Sequence, residues 1–394
     1  MRLEGKERRA FNAIFSANFI STFGETVPQP FLSIFLTGLG IPAPVVGLLY
    51  NVRNLVQALV RVPIGVMSDR LGRRRLMLLG LIILSMVPLL YYASEGLSLP
   101  FIAMMMGGLG ISLYYPPAEA YASKLFPPER VGEAMGRFHL GWAVSSIIGP
   151  SVGGFLSLHF PTYRPIFIVA SAVTLISVPV LWLNTEDDST HPDLDGGLKA
   201  SLLGLPSLLA GFLRNRRVLA ASITTFIHSF CNWVVPAFFP LLAHGLGFSE
   251  VIIGLSLTAN ALVMALSLPL IGRLSDRVGR FLPIALGLSI SVVGFGVLPM
   301  AGEAWELLVL MALIGLGGSL VFPVSQAAIM EALPEGERGA GAGLWGATLS
   351  LGGALGLLAT SIVVSISSLE LAFQFLAAST LIGVAIVALM RRHL

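Results

Sequence analysis

The chain has 394 residues, of which 55% are hydrophobic and only 11% are charged, and its mean hydropathy is +0.85. Soluble globular proteins usually carry about 25% charged residues, so this composition excludes a water-soluble domain. The formal net charge is +3. We expect the excess basic residues to lie at a membrane surface and not to bind nucleic acid.

Apolar segments follow one another along the chain, and each is about long enough to cross ~30 Å of hydrocarbon as a helix. Helices are expected because backbone polar groups in lipid must be hydrogen-bonded within their own segment. The sequence therefore predicts an all-α membrane protein with twelve transmembrane helices. The predicted segments lie near residues 10–37, 43–66, 76–94, 99–125, 132–158, 164–184, 217–243, 250–271, 281–301, 305–332, 340–367 and 371–391.

The predicted helices divide into two sets of six. We predict a first bundle over residues 1–184, a cytoplasmic linker over 185–216 and a second bundle over 217–394. In the linker, the apolar spacing over residues 205–212 indicates either a short helix on the inner membrane surface or an ordinary connector. The first apolar segment contains polar residues and no small-residue cleavage site, so a cleaved signal peptide is not expected.

Basic residues are distributed asymmetrically between the predicted loops. Of the 24 Lys and Arg residues, all but Arg53, Arg61 and Arg164 lie on one side if the N-terminus is inside. The predicted outer loops carry acidic residues instead, such as Glu95 and Glu303. Because basic residues favour the cytoplasmic side, we expect both termini there, in a multi-pass protein of a prokaryotic plasma membrane.

One motif occurs twice, with an offset of 207 residues between Gly65 and Gly272. The segment Gly65-Val-Met-Ser-Asp69-Arg70-Leu-Gly72-Arg73 recurs as Gly272-Arg-Leu-Ser-Asp276-Arg277-Val-Gly279-Arg280. The same offset relates Gly40 to Gly247 and Gly149 to Gly356. An internal repeat of this kind predicts two copies of one structural unit.

The repeated motif resembles that of the major facilitator superfamily of secondary transporters, and the resemblance covers nearly the whole chain. Its two copies follow the second and the eighth predicted helix. The resemblance implies two six-helix bundles, pseudo-symmetric about an axis along the membrane normal. It also implies a substrate cavity between the bundles.

The resemblance also implies that the loop motif closes the cytoplasmic side and opens when the protein opens inward. Asp69 would meet the start of the eleventh helix, where the helix dipole favours a carboxylate, and Asp276 would meet the start of the fifth. Where the family often has an acid on the fourth helix, this chain has Lys124, whereas Glu331 holds the matching place on the tenth. The alternative is that the arginines only anchor the loops.

A second family motif lies in the fifth predicted helix. The segment Gly149-Pro150-Ser-Val-Gly153-Gly154 matches the antiporter motif g-x-x-x-G-P-x-x-G-G, with Ser145 in place of the first glycine. Proline bends a helix, and glycine lets a neighbouring helix approach closely. In the second half Gly356 remains but Leu357 replaces the proline, as in drug–proton antiporters of the family. The motif favours efflux, and the alternative is a packing kink without bearing on direction.

Four charged residues stand out well inside predicted helices of the first half, where ionisable groups are costly and therefore indicate function. They are Glu25, Arg53, Arg61 and Glu119, whose counterparts in the repeat are Asn232, Asn260, Leu268 and Gln326. At ~1.5 Å per residue, Glu25 and Arg53 lie roughly 22–24 Å from the inner surface, and the other two roughly 10–12 Å. We therefore predict the pairs Glu25–Arg53 and Glu119–Arg61. The alternative for both is a permanent structural salt bridge.

Glu25 is the first candidate for coupling to protons. A poorly solvated carboxyl group tends to hold its proton, and a nearby cation favours the ionised form. Arg53 or a cationic substrate would supply that cation, so proton and substrate would compete for one carboxylate. His228 is a further candidate because histidine titrates near neutral pH, and its alternative role is that of a hydrogen-bonded lining residue.

The resemblance places the first and seventh helices on the cavity wall. The candidate substrate-binding residues are Gln29, Thr225, Asn232 and Trp233 on these helices, with Tyr114, Tyr115 and Phe322 on the fourth and tenth. For the aromatic residues, plain packing is the alternative. Drug–proton antiporters of the family usually carry an arginine where this chain has Met104, so Arg53 would have to take that role.

The sequence favours a proton-coupled exporter of hydrophobic or cationic small molecules. The main alternative is an importer or facilitator of a small organic solute or anion bound by Arg53, and a third is a receptor or lipid-handling protein. No enzyme, cofactor or metal is expected, because the chain has no nucleotide-binding loop or short-spaced ligand cluster and Cys231 is its single cysteine. The predicted partners are a small-molecule substrate, protons and the lipid bilayer, with no nucleic acid, and the chain is expected to be a monomer.

Overall fold

The computed structural model describes residues 5–127, 130–160, 162–186, 214–334 and 338–393. Within the helices, the side chains of residues 62, 65–67, 69–71, 131, 132, 338–340 and 342 are outside the description. The predicted surface helix at 205–212 also lies outside the described residues.

The described secondary structure is helical throughout. The first half contains α1 (Gly5–Thr26), α2 (Gln29–Gly38), α3 (Ala43–Leu71), α4 (Arg73–Tyr92), α5 (Ser98–Lys124), α6 (Val131–Ser157) and α7 (Arg164–Asn184). The second half contains α8 (Arg216–Asn232), α9 (Val235–Gly245), α10 (Glu250–Val278), α11 (Phe281–Val297), α12 (Ala304–Glu331), α13 (Arg338–Ile366) and α14 (Leu369–Leu389). The predicted all-α fold is confirmed.

Among the described residues, ten helical segments are long and apolar enough to cross a membrane. They correspond to the third to twelfth predicted helices. The first two correspond to α1 with α2 and to α3, which carry three of the four predicted intramembrane charges. Many large apolar side chains point outward, such as Leu183 at 69% and Ile366 at 80% exposure, and lipid is the natural surrounding for them.

The two halves pack their helices in the same order. In the first half, α1 packs against α6 and α7, and α4 packs against α5 and α7. In the second half, the equivalent α8 packs against α13 and α14, and α11 packs against α12 and α14. Helices related by 207 residues therefore hold equivalent places in their own bundles, as the repeat predicts.

Internal contacts divide the chain into two compact units. The first unit comprises Met1–Ile41 and Val52–Leu194, and the second comprises Pro42–Asn51 and Asp195–Leu394. Each unit contains a buried apolar cluster, which includes Tyr114 in the first unit and Leu288 in the second. The boundary near residue 194 falls inside the predicted linker, and the beginning of α3 groups with the second unit.

The first and seventh predicted helices are each interrupted, where the sequence predicted one continuous segment. The interruption lies at Val27 and Pro28 between α1 and α2, and at Trp233 and Val234 between α8 and α9. Proline lacks a backbone N–H, so it is tolerated in the first turn of a helix and disfavours continuation from the preceding one. Prolines occupy the first turn of both α2 and α9. Both breaks therefore have a local cause, at equivalent places of the repeat.

Four glycines of the repeat adopt positive φ angles. Gly72 and Gly279 in the loop motif have φ of 89° and 83°, and Gly40 and Gly247 have φ of 82° and 91°. These conformations exclude most side chains because a Cβ atom would collide with the backbone. The glycines of the motif are thus required by the turn that joins two consecutive helices.

Substituting Gly279 by alanine is expected to destabilise the protein by about 1–3 kcal/mol, because its φ of 83° and ψ of 173° belong to a region used almost only by glycine. Thermal unfolding of the purified protein in detergent measures the effect. Gly272→Ala is the matched control in the same motif, because nothing lies within 4 Å of a methyl group built there. Equal losses of stability in the two variants would contradict the conformational explanation.

Candidate functional site

Glu25 and Arg53 form an ion pair in the first unit. Glu25 lies in the last turn of α1, directly before the break, and Arg53 lies in α3. Nη2 of Arg53 donates a hydrogen bond to Oε1 of Glu25. The contact predicted from membrane depth is therefore present. The Glu25 side chain is 34% exposed and that of Arg53 is 25% exposed, so both remain accessible to water or a ligand.

A glycine on α5 lets α3 come close at this point. A methyl group at Gly108 would lie 2.6 Å from the backbone oxygen of Arg53, which is too short for a real contact. The equivalent Gly315 on α12 lies in the same way against the backbone of Asn260 on α10. Small residues at such positions allow helices to pack closely in a membrane. Gly108 therefore determines how near α3 brings Arg53 to α5.

Two hydroxyl groups lie one helical turn before Glu25. Those of Thr22 on α1 and Tyr115 on α5 are 3.0 Å apart. Thr22 Oγ1 also lies 3.5 Å from Oδ1 of Asn18, whose Nδ2 donates to the backbone oxygen of Phe138 at 2.9 Å. The ring of Tyr115 packs edge-on against Phe138 and against its neighbour Tyr114. Packing and hydrogen bonds thus hold both hydroxyl groups in place.

A polar face runs along α3, where Arg53, Gln57 and Arg61 are spaced four residues apart. Their counterparts in α10 are Asn260, Met264 and Leu268. Arg61 is exposed, and no ion pair among the described residues joins it to Glu119. The predicted pair Glu119–Arg61 is therefore not formed in this structure. Equal depth does not fix the direction in which each helix turns its side chain, so depth alone could not establish that contact.

The glycines of the antiporter motif bring α6 against the end of α1. A methyl group at Gly149 would overlap the side chain of Thr26, and one at Gly153 would overlap the backbone oxygen of Val27. Oγ of Ser145, which replaces the first glycine of the motif, donates to the backbone of α1 at 2.7 Å. The motif therefore packs α6 onto the break that follows α1.

The same packing recurs in the second unit without the proline. A methyl group at Gly356 on α13 would overlap the backbone oxygen of Phe230 on α8. Leu357 stands there in the place that Pro150 takes in α6, and Gly154 of α6 is buried. Close packing at the break depends on glycine in both halves, and Pro150 is an addition of the first half.

In the second unit, His228, Phe322 and Trp345 form an aromatic cluster on α8, α12 and α13. The ring centres of His228 and Phe322 are 6.1 Å apart, and those of Phe322 and Trp345 are 4.9 Å apart, both edge to face. Nδ2 of Asn232 lies 3.2 Å from Nδ1 of His228. Three of the predicted residues, His228, Asn232 and Phe322, are therefore brought together within one unit.

Other predicted cavity residues are engaged in packing. Tyr114 is fully buried, with its hydroxyl 3.4 Å from a backbone oxygen of α1. Thr225 is 1% exposed and donates to a backbone oxygen of its own helix at 2.9 Å. In this structure Tyr114 and Thr225 are core residues. Gln29 and Trp233 are half-buried next to the two breaks.

The sequence prediction did not include Thr22, Gln57 or Trp345. The sequence could have indicated Gln57, because it lies midway between two arginines at helical spacing. The indication for Thr22 was weaker, since it lies three residues before Glu25 on the same helix. Trp345 belongs to a contact between separate helices, and the local sequence carries no sign of such a contact.

An ion-pair network joins the loop motif of the second half to α12. Nη2 of Arg280 lies 2.8 Å from Oδ1 of Asp276 and also pairs with Glu331, while Nη1 donates to Ser275. Nε of Arg280 donates to Oε2 of Glu331 at 3.2 Å. The hydrogen bond with Glu331 raises the pKa of Arg280. The charge contact predicted for Glu331 is present, and Arg277 is exposed beside it.

The loop motif of the first half is described only in part. Gly65, Asp69 and Arg70 are outside the description of side chains, as are the starts of α6 and α13. The contacts predicted for Asp69 and Asp276 with those two helices therefore stay predictions. Arg74, which follows the motif, donates to the backbone oxygen of Trp182 at 2.5 Å.

Comparison with known proteins matches both halves of the chain. Residues 14–224 and 221–393 match the family model described as Major Facilitator Superfamily. An uncharacterized MFS-type transporter of Methanocaldococcus jannaschii is 22% identical over 373 residues, which cover 94% of this chain and 95% of that protein. The multidrug resistance protein MdtG of Proteus mirabilis is 26% identical over 326 residues, covering 79% and 78%.

Solved structures share the fold at low sequence identity. A bacterial homolog of the human lysosomal transporter Spinster gives a TM-score of 0.82 at 15% identity, covering 99% of this chain and 98% of that one. The peptide transporter POT gives 0.77 at 15% identity, covering 97% and 94%. The chain is thus a multi-pass membrane transporter and not an enzyme, and its two matched halves show that it belongs to the major facilitator superfamily.

Proposed function

We propose that the protein exports hydrophobic or cationic small molecules in exchange for protons. The observation that carries the proposal is the ion pair between Glu25 and Arg53, which joins two helices predicted from the sequence to span the membrane and remains partly exposed. Ionisable groups inside a membrane are energetically costly, so such a pair indicates a functional site. Relatives called multidrug resistance protein MdtG, in Proteus and Salmonella, support the same class of substrate.

Exchange follows from competition for one carboxylate. In this structure Arg53 neutralises Glu25. A cationic substrate can replace Arg53 next to the carboxylate, and a proton can remove the negative charge that attracts either of them. Proton and substrate therefore exclude each other at Glu25, so the release of one accompanies the binding of the other.

The direction of exchange depends on the orientation in the membrane. The basic residues predict that both termini are cytoplasmic, which puts Glu25 nearer the outer surface of the cell membrane. A proton arriving from outside would then release the substrate outward, and loss of that proton to the cytoplasm would prepare Glu25 for the next substrate. The protein is proposed to work as a monomer, with each unit contributing one set of helices.

Transport of ethidium, a permanently charged lipophilic cation, tests this function in proteoliposomes. With the interior more acidic than the exterior, ethidium is expected to enter as protons leave, and a protonophore should stop the uptake. Protein-free liposomes provide the control. Uptake of a small organic anion without any movement of ethidium would contradict export of cations.

A second function has one observation in its favour. Arg61 is exposed on the polar face of α3 and is not paired with Glu119. An arginine in that position can bind the carboxylate or phosphate of an organic anion. Import or facilitated passage of such an anion, reduced by Arg61→Gln and by Arg53→Gln, would support this alternative.

A further inference from the structure

The hydroxyl groups of Thr22 and Tyr115 lie between two carboxylates of the first unit. Glu25 follows Thr22 by three residues on α1, and Glu119 follows Tyr115 by four residues on α5. Residues at these spacings are neighbours on a helix face, with about 5–6 Å between their Cβ atoms. Helix α1 lies in the first predicted membrane helix and α5 is the fourth, so the two run across the membrane in opposite directions. The two carboxylates therefore lie on opposite sides of the hydroxyl pair.

The distances exclude direct proton transfer between the carboxylates and favour transfer through the hydroxyl groups. Seven residues of helical rise separate Glu25 and Glu119 along the membrane normal, which is roughly 10 Å. The hydroxyl pair, 3.0 Å apart, divides that interval into two gaps of one helical turn. A single water molecule can bridge a gap of that size. Tyr115 also lies within electrostatic range of Glu25, Glu119 and Arg53.

We propose that Thr22 and Tyr115 form a proton-transfer path between Glu25 and Glu119. Protonated Glu25 gives its proton, through one water, to Oγ1 of Thr22, and the threonine hydroxyl passes its own proton to Oη of Tyr115. The tyrosine hydroxyl passes its proton, through a second water, to the carboxylate of Glu119. Each hydroxyl gains one proton and loses one, so the net change is the movement of one proton.

Local contacts keep the path ordered and leave Glu119 able to accept the proton. Asn18 fixes Thr22, and the rings of Tyr114 and Phe138 fix Tyr115. Arg61 does not pair with Glu119 in this structure, so that cation does not occupy the carboxylate. Glu119 is thereby the proton acceptor on the predicted cytoplasmic side of Glu25.

The repeat provides an internal comparison. The positions equivalent to Glu25, Thr22, Tyr115 and Glu119 in the second unit are Asn232, Ser229, Phe322 and Gln326. Both carboxylates and the phenol are absent there, while Phe322 packs between His228 and Trp345 in the manner of an ordinary aromatic residue. The fold therefore accommodates phenylalanine at this position, and the hydroxyl of Tyr115 is not needed for packing.

Two substitutions remove the path with little change of shape, namely Tyr115→Phe and Thr22→Val. The path requires the proton-coupled exchange proposed above, so two rates are compared in the same proteoliposomes. One is ethidium uptake driven by the proton gradient, and the other is counterflow of ethidium without a gradient, which needs no net proton transfer. We expect at least about a tenfold loss of the gradient-driven rate, since positioned proton transfer contributes at least that much. Counterflow should fall far less than the gradient-driven rate.

Tyr121→Phe is the matched control, because Tyr121 is another largely buried tyrosine of α5 and its hydroxyl donates to the backbone oxygen of Glu186 at 3.1 Å. Gradient-driven uptake lost in Glu25→Gln but retained in Tyr115→Phe and Thr22→Val would overturn the path and leave the exchange function intact. An equal fall of both rates in Tyr115→Phe would also overturn it, because that pattern indicates a role in packing or substrate binding. A wild-type protein that ignores the gradient would reject both the exchange function and the path.

Discussion

Replacing Glu25 by glutamine is expected to reduce gradient-driven ethidium uptake by about 100-fold or more, a loss typical of removing an essential proton-transfer group. Glutamine keeps the size and the hydrogen-bonding capacity of the side chain, but it cannot ionise. Neither proton nor cationic substrate then has a carboxylate to occupy, and Arg53 loses its ion pair with Glu25. The measurement is the initial uptake rate in proteoliposomes at fixed protein content.

Two further variants separate loss of coupling from loss of structure. Glu370→Gln makes the same change at an exposed carboxyl group at the start of α14, and its uptake rate should equal that of the wild type. The double variant Glu25→Gln/Arg53→Gln also removes the positive charge that Glu25 neutralises in the wild type. It should recover thermal stability relative to Glu25→Gln while remaining inactive in gradient-driven uptake. Recovery of uptake in the double variant would show that the pair serves structure alone.

Replacing Gly153 by alanine is expected to destabilise the protein by about 3 kcal/mol, at the upper end of the usual effect of overpacking. The added methyl group would overlap the backbone oxygen of Val27, and a backbone atom cannot move aside as a flexible side chain can. Helix α6 would have to shift away from the break that follows Glu25. Thermal unfolding of the purified protein in detergent measures the loss.

Gly136→Ala is the control in the same helix and should have the opposite sign. Nothing lies within 4 Å of a methyl group at Gly136, so alanine gains about 0.5–1 kcal/mol of helix propensity there. Pro150→Ala addresses the interpretation that the motif favours efflux, whose alternative is a packing kink without bearing on direction. If Pro150→Ala transports normally while Gly153→Ala is impaired, packing by glycine and not the proline kink is what the motif supplies to transport.

The architecture was predictable because membrane spanning and internal repetition both leave periodic marks on the sequence. The repeated glycines at positions 72 and 279 are an example, since their positive φ angles explain why both copies of the motif keep them. The helix breaks were missed because an apolar segment has the same hydrophobic composition whether its helix is continuous or interrupted. The prolines that cause the breaks, among them Pro28 and Pro30, were nevertheless visible.

Only the depth of the candidate site residues along the membrane normal was predictable from the sequence. Counting residues from the helix ends placed Glu25 and Arg53 at one depth, and the structure brings them into contact. The same count placed Glu119 and Arg61 at one depth, yet they do not pair, because the rotation of each helix about its axis is decided by tertiary packing. The residue that lets α3 approach α5 next to Arg53 is Gly108, which carries no charge to attract notice.

The interruption between α1 and α2 makes this part of the molecule easier to bend than a continuous helix. Pro28 and Pro30 cannot donate to the carbonyl groups four residues earlier, those of Gly24 and Thr26, so two of the bonds that stiffen a helix are missing there. Bending stiffness is therefore low over a few residues and high in the rigid segments on either side. Glu25 lies directly before this break, where bending is easiest. A small rotation of α2 therefore changes the surroundings of the carboxylate without unwinding either helix.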